Sequence, residues 1–210
     1  MQLPPLKTPS LLAILIATGT HSLTHAQIQA FELKDVRLGM KKQEVIDLHE
    51  LCEHEAQESV TIIDCSDSPS RVLKIALDEP SDSVYEVFFS KYFDFNPSWT
   101  ELKSQIEARY QEATMESGGD FEEGGFSGFK YSMCYGACEK IEDPGFDDKV
   151  SGAPSGKSLT VYYSSVSTYN EGYLSFKLVD ETLKRNALKR NKALKQIKKA
   201  EKNKTKSTID

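Results

Sequence analysis

The 210-residue sequence has few of the residues on which common enzymes depend. Of its four histidines, His21 and His25 lie in an N-terminal segment that we expect to be removed, so only His49 and His54 remain for general-base catalysis. No serine stands in a nucleophile-elbow pattern, and the glycine pairs are flanked by acids, which repel phosphate. The sequence therefore predicts a protein that is not an enzyme and needs no cofactor. A hydrolase with paired carboxylates stays open, because their geometry is three-dimensional.

A membrane-spanning segment is also missing. The apolar run at residues 11–17 is far shorter than the ~20 residues that a spanning helix takes. Lys7 precedes this run and Thr24-His25-Ala26 follows it, a pattern typical of a secretory signal peptide. We expect residues 1–26 to be cleaved near Ala26. No cysteine stands at that site to carry a lipid anchor, so we expect a periplasmic or secreted protein.

The four cysteines form an even set, which in an exported chain indicates disulfides. Three pairings are possible, and proximity in the sequence favours Cys52–Cys65 and Cys134–Cys138. A redox-active pair is the alternative for Cys134 and Cys138, but three residues separate them instead of two.

Two groups of side chains are possible metal ligands. One group comprises His49, Cys52, His54 and Cys65, which could bind zinc. An oxidised Cys52 cannot be a ligand, however, and His54 leaves the helical face that His49 and Cys52 share. The other group is the acidic turn at residues 142–148, which lacks the ligand spacing of a calcium-binding EF-hand loop. We therefore expect no bound metal.

A long strand at residues 83–95 is the centre of the predicted fold. Its odd positions place Tyr85, Val87 and Phe89 on one apolar face, while its even positions are mostly wettable. A helix from residue 41 to about residue 56 precedes it, followed by strands at residues 60–64 and 71–77.

The second half repeats this order. A helix from residue 99 to about residue 113 is followed by strand patterns at residues 129–135, 158–165 and 172–179. Loops are expected at residues 117–128, which are rich in glycine and acids, and at residues 136–156.

These elements predict an α+β fold. We expect two helix-then-three-strand units, at residues 27–95 and 96–180, that form antiparallel sheet with the helices on one face. A basic C-terminal helix and tail follow at residues 181–210.

The turn Leu38-Gly39-Met40, followed by Glu44-Val45, resembles the opening of many exported bacterial proteins of unknown function. It is similar to the start of outer-membrane assembly lipoproteins of the BamE type, and two such units in tandem resemble the β-lactamase inhibitor protein. The resemblance implies this α+β fold and a habit of binding other proteins. It implies no specific site, since the lipoproteins' anchor cysteine and the inhibitor's contact residues have no counterpart here.

The charge of the chain is divided unevenly. Residues 27–180 carry 14 basic against 29 acidic residues, a net charge of −15, whereas residues 181–210 carry 11 against 3, a net charge of +8. Basic amphipathic helices bind anionic membranes or acidic partner surfaces. The alternative is a helix packed on the protein's own acidic body. The candidate partner- or lipid-binding residues are Lys184, Arg185, Lys189, Arg190, Lys192, Lys195, Lys198 and Lys199.

The sequence thus predicts a non-catalytic, exported protein-binding or envelope-accessory module. Its expected partner is an envelope protein, and nucleic acid is not expected in that compartment. The alternative function is a peripheral envelope protein that binds anionic lipid or lipopolysaccharide through the basic helix.

Overall fold

The structure, a computed structural model, describes residues 32–207 except residues 58, 124, 144–145 and 168. The predicted signal peptide, residues 1–26, lies outside the described residues, as do the side chains of the acidic turn at residues 142–148. Among the described residues are twelve β-strands, three α-helices and one short 3₁₀ helix. The elements of the first half are β1 (Glu32–Leu33), β2 (Val36–Arg37), α1 (Lys42–Leu48), β3 (Glu53–Gln57), β4 (Val60–Asp64), β5 (Arg71–Asp78), the 3₁₀ helix (Glu79–Ser81) and β6 (Ser83–Phe93).

The second half continues the same sheet. Its elements are α2 (Trp99–Tyr110), β7 (Met115–Glu123), β8 (Phe126–Gly136), β9 (Cys138–Asp143), β10 (Phe146–Gly152), β11 (Lys157–Val166), β12 (Glu171–Asp180) and α3 (Glu181–Ser207). Eight strands form one antiparallel sheet in the order β3-β4-β5-β6-β12-β11-β8-β7, so β6 and β12 join the halves. Two separate hairpins, β1–β2 and β9–β10, complete the strands.

The predicted fold class is wrong, because the protein is mostly β and its helices do not share one face. The larger core lies on the face that α1 and α2 cover, where Val45 and Ile106 pack with Ile75, Val87 and Leu178. A second core lies on the opposite face. There Ala187 of α3 is buried with the side chains of Val60, Ala76 and Tyr85, and Ile62 and Leu183 pack at its margin.

A β-bulge explains why one sheet serves two cores. Leu77 pairs with Val84 and Ala76 with Glu86, so Tyr85 is the extra residue of β6. The bulge shifts the alternation by one residue, which places Tyr85 on the α3 face and brings Val84 into the larger core with Val87 and Phe89. The prediction that Tyr85 shares a face with Val87 and Phe89 is therefore wrong.

The first helix is shorter than predicted. It ends at Leu48, and residues 53–56, which were expected to be helical, belong to β3 (Glu53–Gln57) at the edge of the sheet. These residues are good helix formers, but they pair with β4 instead. The disulfide Cys52–Cys65 is adjacent to the first pair of the two strands, Glu53 with Asp64, and holds the strands together at that end. The acidic side chains of β3 suit an exposed edge, where charge opposes pairing with another chain.

Two segments predicted as loops form strands. Residues 117–128 include most of β7, whose Gly118 lies opposite Tyr131, and a side chain at Gly118 would overlap the Tyr131 ring. Gly118 therefore provides space for an aromatic ring. Residues 136–156 contain the β9–β10 hairpin, whose Val150 donates a 3.2 Å hydrogen bond to Ser132 on the α3 face of β8.

Both predicted disulfides are confirmed. Cys52–Cys65 joins the end of the α1 segment to β4 across 13 residues. Cys134–Cys138 closes the turn from β8 to β9, where Gly136 takes a φ of +89° that few other residues adopt.

Removal of the first disulfide by the double substitution C52A/C65A should lower the free energy of unfolding by about 3 kcal/mol, the chain-entropy value for a loop of this length. It should also allow the edge strand β3 to separate from β4 more often. We expect hydrogen exchange to show a larger loss of amide protection in β3 than in β12, whose amides exchange through global unfolding. The matched variant C134A/C138A should leave β3 protected, and equal loss of protection in both variants would contradict the assigned role.

Candidate functional site

The first cysteine pair lies beside a histidine but does not form a metal site. His49 is the residue after α1, and its ring lies within 4.8 Å of the sulfur atoms of Cys52 and Cys65. Both sulfur atoms are in a disulfide, so they are not thiolates and do not bind a metal. His54 lies on the edge strand β3 and is not part of this cluster.

The first three turns of α3 are fastened to the sheet by charge and apolar packing. Asp180 caps the helix by accepting a 2.9 Å hydrogen bond from the backbone N–H of Leu183. Lys184 binds Glu86 of β6, and Arg190 binds Asp78 of β5. The buried hydroxyl of Ser59 donates a 3.3 Å hydrogen bond to the carbonyl oxygen of Ala187.

These pairs lie over the second core, beside the Tyr85 phenol. The Asp78 side chain is only 2% exposed, so its carboxylate depends on Arg190 for compensation. Burial, and then the neighbouring Glu86 and Asp78, raise the pKa of the Tyr85 phenol to about 12. Lys184 and Arg190, two of the predicted partner- or lipid-binding residues, therefore bind the protein's own sheet.

The other predicted binding residues point to solvent. Arg185 and Lys189 are exposed on the docked half of α3, and every residue from 192 to 202 is exposed. We call residues 192–202 the arm. It carries five lysines against one glutamate, a net charge of +4. At 100° per residue the lysines occupy one sector of about 120°, whose members are Lys192, Lys195, Lys198, Lys199 and Lys202.

The arm also has an apolar face. Leu194 is 40% exposed and Ile197 is 54% exposed, beside the sector of lysines. Among the described residues, no carboxylate oxygen lies within 4.0 Å of the ammonium groups of Lys192, Lys195 or Lys199. The arm is therefore a cationic, partly apolar surface that is available for contact.

A groove on the opposite face of the sheet was not predicted from the sequence. It lies between α2 and the sheet, beside the β1–β2 turn, and encloses a cavity of about 250 Å³. Lys34, Phe89 and Arg109 line it, from three distant segments of the chain. No local motif joins these segments, because Lys34, Phe89 and Arg109 are far apart in the sequence.

Within the described part of the chain, no helix has the length and apolar character that crossing a membrane requires. The two disulfides are consistent with an oxidising compartment outside the cytoplasm. No family model matches the chain, and no curated protein or solved structure matches it. The relationship to BamE-type lipoproteins and to the β-lactamase inhibitor protein therefore stays a prediction.

Replacement of Arg190 by Met should lower the free energy of unfolding by about 2 kcal/mol, because the Asp78 carboxylate would remain buried without its cation. The exposed Lys192→Met, two residues further on, is the matched control and should change stability by less than about 0.5 kcal/mol. Urea unfolding of both variants measures the difference. Equal effects would show that the Asp78–Arg190 pair does not fasten α3.

Proposed function

We propose that this protein is a non-catalytic, exported binding module whose contact surface is the arm of α3. The observation that carries the proposal is the cationic face of the arm, with five lysines in one sector of the helix and no part of that sector buried. The sheet engages Lys184 and Arg190 instead. A cationic helix face of this kind fits an acidic surface on another molecule.

An envelope protein is the partner class that the charges favour. Residues 27–180 carry a net charge of −15, so an anionic bilayer, which is an extended surface, repels the body of the protein. A protein partner can bind the arm with a single acidic groove. Leu194 and Ile197 are three residues apart and exposed, which suits an apolar groove on that partner.

Anionic lipid or lipopolysaccharide is the alternative target. Its support is the same pair of exposed aliphatic residues beside lysines, the arrangement of helices that lie in a membrane interface. No tryptophan or phenylalanine occurs in α3, so insertion of this helix would be shallow.

The proposal includes export by the signal peptide at residues 1–26, with cleavage near Ala26. The disulfides support it, because they form and persist in oxidising compartments. The proposal that the protein is not an enzyme is supported by the surroundings of His49. This histidine lies beside Cys52 and Cys65, whose sulfur atoms form a disulfide and therefore provide neither a nucleophile nor a metal ligand.

The test reverses the charge of the arm without disturbing the docked half of α3. Truncation after residue 180 is unsuitable, because it would expose the core around Tyr85 and Ala76. The variant K192E/K195E/K199E should lose about 100-fold in partner affinity, at roughly 1 kcal/mol for each reversed charge. The measurement is stoichiometric capture from envelope extracts, followed by titration with the purified partner.

The matched control is K192R/K195R/K199R, which keeps each charge and should keep binding. Circular dichroism of both variants establishes that α3 stays helical. Vesicles of phosphatidylglycerol and of phosphatidylcholine serve as lipid probes. Binding to the anionic vesicles with no protein captured would overturn the proposal in favour of the lipid alternative. Capture of a partner by the charge-reversed variant would show that the arm is not the contact surface.

A further inference from the structure

The groove beside α2 has apolar walls drawn from three elements. Leu102 and Ile106 come from α2, Leu174 and Phe176 from β12, and Phe89 from β6. Its cavity of about 250 Å³ holds roughly eight non-hydrogen atoms, at the ~30 Å³ that one molecule of liquid water occupies. An apolar body of about eight carbons therefore fits inside.

The charges at the mouth of the groove have one sign. Among the described residues that line it, the charged ones are Lys34 and Arg109. The described part of the chain places no carboxylate oxygen within 4.0 Å of either side chain. The Arg109 guanidinium donates a hydrogen bond to the backbone carbonyl of Glu32, at 3.5 Å, and lies 5.5 Å from the centre of the Tyr110 ring.

The position of Lys34 is maintained at a conformational cost. Lys34 and Asp35 form the two-residue turn between β1 and β2, with φ values of +55° and +67°. Asn-Gly is the usual choice for such a turn, because both residues must adopt the left-handed conformation. A lysine there is not explained by the turn, and strained residues cluster at binding sites.

The turn holds the Lys34 ammonium over an aromatic ring and beside other cations. Its Nζ lies 4.3 Å from the centre of the Phe89 ring. Burial lowers the pKa of Lys34, and the positive charges of Arg71 and Arg109 lower it further, while Asp35 opposes them. An anion between Lys34 and Arg109 would relieve this repulsion.

We propose that this groove binds a small amphipathic carboxylate, with its carboxylate between Lys34 and Arg109 and an unbranched apolar body of about eight carbons against Phe89, Ile106 and Leu174. The guanidinium and the ammonium supply charge-assisted hydrogen bonds to the carboxylate. The site lies on the sheet face opposite α3, so it is a binding activity beyond the proposed role of the arm.

Calorimetric titration of the purified exported chain with octanoate tests the proposal. We expect a dissociation constant of about 100 µM, typical for a ligand of about ten non-hydrogen atoms. Octan-1-ol and octylamine have the same apolar body without the negative charge, and each should bind at least about 10-fold more weakly. Affinity for octanol equal to that for octanoate would overturn the assignment of a carboxylate.

Lys34→Met should weaken octanoate binding about 10-fold or more and leave the weak affinity for octanol unchanged. Lys130→Met is the matched control, because the Nζ of Lys130 also lies over an aromatic ring, 4.2 Å from the centre of Phe121, outside the groove. Equal loss in both variants, or no octanoate binding up to about 10 mM in the unmodified chain, would overturn the proposal.

Leu102→Trp fills the cavity from α2 and gives a second test that does not remove charge. It should abolish octanoate binding. Urea unfolding of the variant should still show a cooperative transition, which establishes that the variant is folded. Chemical shifts of the Ile106 and Leu174 methyl groups should move on addition of octanoate to the unmodified chain. Shifts confined to residues outside the groove would locate the binding elsewhere and refute this site.

Discussion

The pairing of β6 with β12 is the constraint on which the rest of the structure depends. Phe89 pairs with Phe176 and Val87 with Leu178, and this register joins two halves that are far apart in the sequence into one sheet. Strand β6 contributes to both faces, with Phe89 in the larger core and Glu86 beside α3. The larger core contains residues of both halves, such as Ile75 of β5 and Leu159 of β11, so it is continuous only when β6 and β12 are paired.

The bulge at Tyr85 determines which residues α3 can cover. Without the extra residue, Tyr85 would share the face of Val87 and the second core would lose its largest side chain. With the bulge, Tyr85 lies beside Ala187, while Glu86 and Asp78 on the same face bind Lys184 and Arg190. The basic charge of the first turns of α3 therefore offsets part of the acidic charge of the body.

The sequence predicted features that depend on local patterns and missed those that depend on distant partners. The alternation of β4, β5, β11 and β12, the two disulfides and the start of α3 were all predicted from local patterns in the chain. Strand β3 was missed because its pairing with β4 overrides the helix propensity of its residues. Strand β7 was missed because its glycines indicated a loop, whereas Gly118 leaves space for the Tyr131 ring on the neighbouring strand. The groove was missed because Lys34, Phe89 and Arg109 meet only after the sheet has formed.

The two proposed binding surfaces are on opposite faces of the sheet, so occupation of one does not sterically exclude the other. Any coupling between them must pass through the sheet itself, where β6 and β12 each line the groove and contact α3. In β6, Phe89 forms part of the groove, while Glu86 fastens α3, three residues away on the other face. Strand β6 thus contacts both the groove and the docked half of α3, whose arm begins eight residues after Lys184.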